Sequence, residues 1–168
     1  MAPPSDYRIE LLGDQHDRAA FSCGVEALDR YLHVQAGQDS RRRIASCFVL
    51  VAPDGSVAGY YTLSAAGIAL AELPADVARK LPRYPLLPAA LMGRLAVDRR
   101  RHGQRLGELL LFDAFSRALR SELAAYAFVV DAKDDAAQAF YEKYRFLRLP
   151  GPGRRLYVPL TEIARLFA

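Results

Sequence analysis

The spacing of apolar positions along the chain changes from two to three-and-four and back, and each change marks an element. Residues 7–12 read as a short strand closed by Gly13 and Asp14. From Val25, the apolar residues Val25, Leu28, Leu32 and Ala36 fall on one helical face, opposite Glu26, Asp29 and Arg30, and Gly37 is the expected stop. Residues 44–52 form a continuous apolar run of the buried-strand type. Pro53-Asp54-Gly55 is a turn signal, and residues 57–70 make a second, longer strand, so the pair reads as an antiparallel hairpin. A short helix is expected over residues 71–80. Pro82, Pro85 and Pro88 argue against regular structure over residues 81–88, because each removes a backbone donor.

A strand at residues 91–97 then enters a basic turn. The turn passes directly into a helix with apolar residues at Leu106, Leu109, Leu110, Phe112, Phe115 and Leu119. Residues 126–130 are again strand-like. Asp134 or Asp135 is a good N-cap for a helix to Tyr144, on which Ala137, Phe140, Tyr141 and Tyr144 share one face. A short strand at residues 146–149, a Pro-Gly-Pro-Gly turn at 150–153, a strand at 156–159 and a tail helix capped by Thr161 complete the chain. The closing order strand–helix–strand–helix–strand implies parallel neighbours joined by right-handed crossovers, within a mixed α/β layer fold.

The 168 residues suit one globular domain, 1–168, and 52% hydrophobic residues supply its core. No apolar run approaches the ~20 residues that cross a bilayer. Nor does the start of the chain carry a charged region followed by an apolar core, so a cytoplasmic protein without a membrane role is expected. Two cysteines, Cys23 and Cys47, are too few for a disulfide framework and lack zinc-ligand spacing, so no metal site is expected. The net charge of +4 is the excess of twenty arginines and three lysines over nineteen acidic residues. Arginine in this excess suits phosphate, which its planar fork grips with two bonds, or it reflects genome composition. The clusters Arg41-Arg42-Arg43 and Arg99-Arg100-Arg101 stand out from the total.

The turn after residue 97 is the first candidate for chemistry. A glycine-containing turn at a helix N-terminus presents N–H groups that lack intrahelical acceptors, and the helix dipole adds partial positive charge. Arg99, Arg100, Arg101 and Arg105 add full charges, which makes the turn a pyrophosphate cradle or else a solvated basic connection.

With these residues in this order, the layout resembles the GNAT superfamily of acyl-CoA-dependent N-acetyltransferases. The pyrophosphate motif of that family, Gln/Arg-x-x-Gly-x-Gly/Ala, corresponds to His102-Gly103-Gln104-Arg105-Leu106-Gly107. Here His102 takes the first position and Arg105 replaces the middle glycine. Phe21-Ser-Cys-Gly-Val-Glu-Ala-Leu-Asp-Arg-Tyr-Leu32, Gly59-Tyr-Tyr-Thr-Leu-Ser64, Gly93-Arg-Leu-Ala-Val-Asp98 and Ala139-Phe-Tyr-Glu-Lys-Tyr-Arg-Phe146 resemble the GNAT toxins of type II toxin–antitoxin systems. Arg145 stands where that group usually has glycine.

The resemblance implies a GNAT-like mixed, mostly antiparallel sheet with helices on both faces and a splayed parallel strand pair for the coenzyme. It implies transfer of acetyl from acetyl-CoA to the α-amino group of aminoacyl-tRNA, which blocks translation. It implies neutralisation by a ribbon-helix-helix antitoxin, and it suggests a homodimer. Leu95, Ala96 and Val97 would meet the pantetheine through their backbone. His102, Gly103, Gln104, Arg105, Leu106 and Gly107 would hold the pyrophosphate, with Tyr144 near the coenzyme. Tyr141 would protonate the departing thiolate; on periodicity alone it is one of a packed aromatic stripe.

Arg41, Arg42, Arg43 and Arg94 are candidate tRNA contacts, or a solvated or antitoxin-docking face. No carboxylate or histidine stands out as a general base: His102 is a phosphate donor or surface residue, and His16 and His33 read as surface or helix-face residues. An α-amine with pKa near 8 needs none, whereas a lysine amine near 10.4 would. Two other readings remain open: a GNAT acting on a small amine or protein N-terminus, and a non-catalytic GNAT-like binding module, suggested by Arg105.

Overall fold

A computed structural model describes residues 6–167. Seven strands form one sheet in the order β1-β2-β3-β4-β5-β7-β6. They are β1 (Arg8–Leu11), β2 (Ser46–Val51), β3 (Val57–Ala69), β4 (Leu86–Val97), β5 (Ala127–Asp131), β6 (Leu147–Arg148) and β7 (Arg155–Pro159). The helices are α1 (Glu26–Arg30), α2 (Ala36–Arg41), α3 (Ala75–Ala78), α4 (Leu106–Arg120), α5 (Asp135–Glu142) and α6 (Leu160–Leu166). The sheet is mostly antiparallel and contains a parallel β4–β5 pair. By its contacts the chain falls into two compact units, Met1–Ser64 with Gly93–Ser116, and Ala65–Met92 with Arg117–Ala168.

In the first unit, β1 pairs with β2 and β2 with β3, antiparallel in both cases. The expected hairpin closes at Asp54 and Gly55, where the Ser56 N–H and hydroxyl both donate to Asp54. The helix beginning at Glu26 does not stop at Gly37. It passes through one π-helical turn (Tyr31–Gln35) into α2. The stop lies six residues later, at Arg43, whose φ of 58° is left-handed. There the Ile44 N–H donates to the Asp39 carbonyl and the Arg43 N–H to the Ser40 carbonyl, which closes the helix in a Schellman motif.

Buried Asp39 explains the extension. Its carboxylate accepts the Tyr31 hydroxyl at 2.7 Å and the Gln35 amide at 2.9 Å, so the second helical segment is tied to the first. Tyr31 stacks on Tyr60, whose hydroxyl donates to the Leu28 carbonyl at 2.6 Å. Phe21, Leu32, Val49, Val57 and Ala96 fill the surrounding core.

In the second unit, β4 and β5 run parallel from Ala89↔Ala127 to Met92↔Val130. β5 pairs antiparallel with β7, and β7 with β6. The expected crossover thus gives β6 the direction of β5, but the returning strand β7 lies between them, so β5 and β6 do not pair. The proline-rich stretch is regular at its end, since β4 begins at Leu86 and contains Pro88. Residues 71–80 give only a 3₁₀ turn and the four-residue α3. Asp134 caps α5 by accepting the Ala137 N–H at 2.8 Å, as expected. Thr161 caps nothing: Leu160 already opens α6, positioned by its N–H to the Tyr126 carbonyl. Ile68, Leu73, Leu87, Val129 and Tyr157 form this unit's core.

Gly59 on β3 allows the closest approach of backbone in the first unit. A Cβ there would lie 2.8 Å from the Ala96 carbonyl oxygen and 3.0 Å from Leu110 Cδ1. Gly59→Ala is expected to destabilise the protein by about 1–3 kcal/mol, the usual cost of overpacking. Denaturant unfolding would measure the loss, and an unchanged midpoint would contradict the tight contact.

Candidate active site

The candidate residues divide between the two units. In the first, β4 ends at Val97 and the chain turns at Asp98, which is fully buried. The Asp98 N–H donates to the Ala58 carbonyl at 2.8 Å. Its carboxylate accepts the Ser22 N–H at 3.2 Å, the Arg100 N–H at 2.9 Å, and both Nε and Nη2 of Arg100 at 3.0 Å. The Arg99 N–H returns a bond to the Ser22 carbonyl at 2.9 Å. Burial by itself would raise the Asp98 pKa, but the Arg100 side chain and the two backbone donors outweigh it and hold the carboxyl at about 2. Asp98 therefore fixes both the mouth of the turn and the segment that precedes α1.

The rest of the turn is held by side chains that the sequence reading assigned to phosphate. His102 donates from Nε2 to the Val97 carbonyl at 3.0 Å, so it braces the strand end. Gln104 accepts the Tyr7 hydroxyl at 3.1 Å. Arg101 reaches Tyr7, Asp54 and Ser56. Gly103, at φ 87°, supplies a left-handed bend. Arg105 adopts φ 60°, the conformation glycine would take, immediately before Leu106 opens α4. Its guanidinium pairs with Glu108 at 2.7 Å, one turn into the helix. Leu106 is buried, and the N–H groups of the first turn of α4 have no intrahelical acceptors. The left-handed Gly103 and Arg105 and the start of α4 thus lie together in this turn. Leu95, Ala96 and Val97 occupy the last positions of β4 before it, with Ala96 buried.

In the second unit, Tyr141 on α5 is 7% exposed. Its ring meets Phe146 edge-on at 5.4 Å, and Phe146 meets Phe128 of β5 at 6.1 Å. This aromatic chain fixes the position of the phenol. Burial, with a smaller contribution from Asp131, raises its pKa well above the usual 10, so the hydroxyl keeps its proton at neutral pH. Among the described residues no hydrogen-bond partner holds that hydroxyl, whereas those of Tyr7, Tyr31, Tyr60 and Tyr61 are all engaged. Tyr144 is half-buried and packs on Phe140 at 5.2 Å.

The candidate tRNA contacts separate. Arg41, Arg42 and Arg43 are exposed at the C-terminal end of α2, where cations also complement the helix dipole. Arg94 instead lies 3.5 Å above the ring of Tyr31 and is half-buried. His16, expected on the surface or a helix face, is instead buried outside any helix, because both its ring nitrogens are bonded, to the Gly13 N–H and to Glu10; the rings of His33 and His102 bond the Phe21 and Val97 carbonyls, so no histidine offers a ready base. Among the described residues no group of His, Cys, Asp and Glu could hold a metal ion, and no helix is long and apolar enough to cross a membrane. The sequence reading missed Asp98 as an organising residue. Its signal was a carboxylate directly after an apolar strand with arginine two positions later.

A family model described as acetyltransferase (GNAT) family matches residues 14–146. The chain is 36% identical over 137 residues to a tRNA-acetylating toxin of Mycobacterium tuberculosis (strain ATCC 25618 / H37Rv), covering 80% of this chain and 81% of that one. It is 28% identical to a probable toxin TacT of Sinorhizobium fredii (strain NBRC 101917 / NGR234), over 91% of this chain and 90% of the other. Among solved structures it is similar to AtaT complexed with acetyl-methionyl-tRNAfMet, at TM-score 0.88 and 32% identity, covering 97% of this chain and 100% of that one. It is also similar to AtaTR bound with AcCoA, at TM-score 0.85 and 30% identity over 98% and 100%. A third neighbour is a Tyr-to-Phe mutant of AtaT bound to the C-terminus of the antitoxin AtaR, at TM-score 0.82 and 29% identity over 98% and 99%.

The Asp98 carboxylate gives a pH-dependent prediction. Its pKa is depressed in the folded state, so its stabilisation is full above the unfolded value near 4 and is lost as pH falls towards 2. Asp98→Asn is expected to lose about 2 kcal/mol at pH 7, from the size of that shift. The gap from wild type should close between about pH 5 and pH 2 in a series of denaturant titrations; a gap independent of pH would contradict the ionised carboxylate.

Proposed function

The chain belongs to the acetyltransferase (GNAT) family, and we propose that it is the toxin of a toxin–antitoxin pair, transferring acetyl from acetyl-CoA to the α-amino group of aminoacyl-tRNA in the cytoplasm. Support comes from relatives that carry that activity in their names and from neighbours solved with AcCoA, with acetyl-methionyl-tRNAfMet and with an antitoxin. The proposal treats the two units as one acetyltransferase domain; the family match runs through both. It also includes a homodimer and a ribbon-helix-helix antitoxin, as the family resemblance implies.

The donor groups of the turn suit a pyrophosphate. The α4 N-terminus offers N–H groups, Gly103 and Arg105 supply the left-handed backbone, and the Arg105 side chain is drawn along the helix towards Glu108. That placement supports the catalytic reading over a non-catalytic module. Leu95, Ala96 and Val97 present main chain to the pantetheine, where free N–H groups would polarise the thioester carbonyl. Tyr144 is assigned to the coenzyme by the motif. Arg41, Arg42, Arg43 and Arg94 are assigned to tRNA, Arg94 as a cation held in place by Tyr31.

The neutral α-amine attacks the thioester carbon. The new C–N bond forms, the C–S bond breaks, and the amine's surplus proton leaves to water. The thiolate takes the proton of Tyr141, which recovers one from solvent. The observation that carries this role is a phenol fixed by Phe146, protonated at neutral pH and without a hydrogen-bond partner among the described residues. The burial that weakens it as an acid also raises the pKa of a thiolate beside it, so the transfer remains matched.

Tyr141→Phe is expected to lower turnover by about 10²–10⁴-fold, the usual worth of a general acid, with acetyl-CoA affinity nearly unchanged. Unchanged turnover would remove Tyr141 from the reaction. Incubation of the protein with acetyl-CoA and a mixture of charged tRNAs should yield N-acetylated amino acid. Acetylation of small amines or protein N-termini without any charged tRNA would replace the toxin reading, and absence of acetyl-CoA binding would favour the module.

A further inference from the structure

Three consecutive arginines follow Asp98, and their partners distinguish them. Arg100 is committed to Asp98, and Arg101 to Tyr7, Asp54 and Ser56. Arg99 is exposed and, among the described residues, forms no ion pair. Its N–H to the Ser22 carbonyl nevertheless pins its backbone beside the segment that leads into α1. Here an open cleft of about 500 Å³ is lined by Arg99 and Arg30, with Ser22, Glu26, Asp29 and His33. Arg30, like Arg99, is exposed and has no carboxylate partner among the described residues.

The negative groups of the cleft are unequal. Asp29 turns both oxygens to the preceding loop, accepting the Cys23 N–H at 2.8 Å and the Ser22 hydroxyl at 3.3 Å. Glu26 has no such partner among the described residues, so its charge opposes an anion in the cleft more than that of Asp29.

We propose that this cleft binds the phosphate backbone of the RNA acceptor, with Arg30 and Arg99 as its two phosphate ligands. The inference rests on the reading of the acceptor as aminoacyl-tRNA and adds the place where its chain is gripped. Guanidinium forks match phosphate oxygens, and two of them without ion pairs among the described residues give up none there when they bind. Arg99 opens the very turn whose other end is the pyrophosphate cradle, so a strand held there lies beside the turn that holds the coenzyme. A single-stranded backbone fits an open cleft of this kind, because its contacts are electrostatic and need no enclosure.

The test measures tRNA binding by anisotropy with uncharged tRNA across a salt series, and KM for charged tRNA and for acetyl-CoA separately. Arg30→Ala and Arg99→Ala should each weaken tRNA binding about 5–10-fold, and the pair together should reduce the slope of log K against log salt by about 1.5. Glu26→Gln should tighten binding about 2–3-fold, since it removes the opposing charge. KM for acetyl-CoA should stay constant throughout, and Arg165→Ala on α6, remote in sequence and paired with Glu162, should change nothing.

Unaltered tRNA binding in both arginine variants overturns the proposal. A rise in KM for acetyl-CoA assigns the cleft to the coenzyme, and weakened binding of antitoxin alone assigns it to the protein partner; either overturns it. Tighter RNA binding by the arginine variants with weaker binding by Glu26→Gln would mean a cation site. If wild type acetylates no charged tRNA yet its RNA binding still depends on Arg30 and Arg99, the functional reading fails while this site stands.

Discussion

A carboxylate without solvent, at the first residue after β4, sets the arrangement of the basic turn and of the segment before α1. Asp98 is fully buried, and a charge in that position is tolerated only with its lone pairs occupied. Ser22 and Arg100 occupy them. The consequence reaches two segments far apart in sequence. The basic turn cannot swing away from the strand, and the segment before α1 cannot leave the turn. The turn and the cleft beside it owe their shape to this one group.

Three residues outside glycine adopt left-handed backbone among the described residues, and all are arginine: Arg43, Arg105 and Arg145. Two of these stand where the family pattern has glycine. The usual penalty for a side chain in that conformation is about 1–2 kcal/mol. Arg105 and Arg145 offset part of it through ion pairs with Glu108 and Glu162. Left-handed backbone at these positions is thus reached without glycine.

The tyrosines show how one residue type is put to two uses. Tyr31 and Tyr60 are buried with their hydroxyls bonded, and they join α1 and α2 to the first unit's core. Tyr141 is buried against Phe146 with its hydroxyl unengaged by the described residues. Both arrangements come from the same amphipathic side chain, and the difference lies in whether a partner stands at its polar end.

The sequence by itself determined the strands, the hairpin at Asp54 and Gly55, the cap at Asp134, the turn into α4 and the family motifs, because these depend on local spacing and local backbone preference. The run past Gly37 was decided by Asp39 bonding back to Tyr31, and the isolation of the parallel pair by β7 pairing with β5. The first contact spans eight residues and the second joins strands far apart in the chain, and neither follows from the spacing of apolar positions. The side chains of the basic turn were legible as a cluster of charge but not as separate roles. Only the fold decided that His102 braces Val97, that Arg100 neutralises Asp98 and that Arg105 turns to Glu108, since a charged side chain takes its role from whichever opposite group the tertiary structure places within reach.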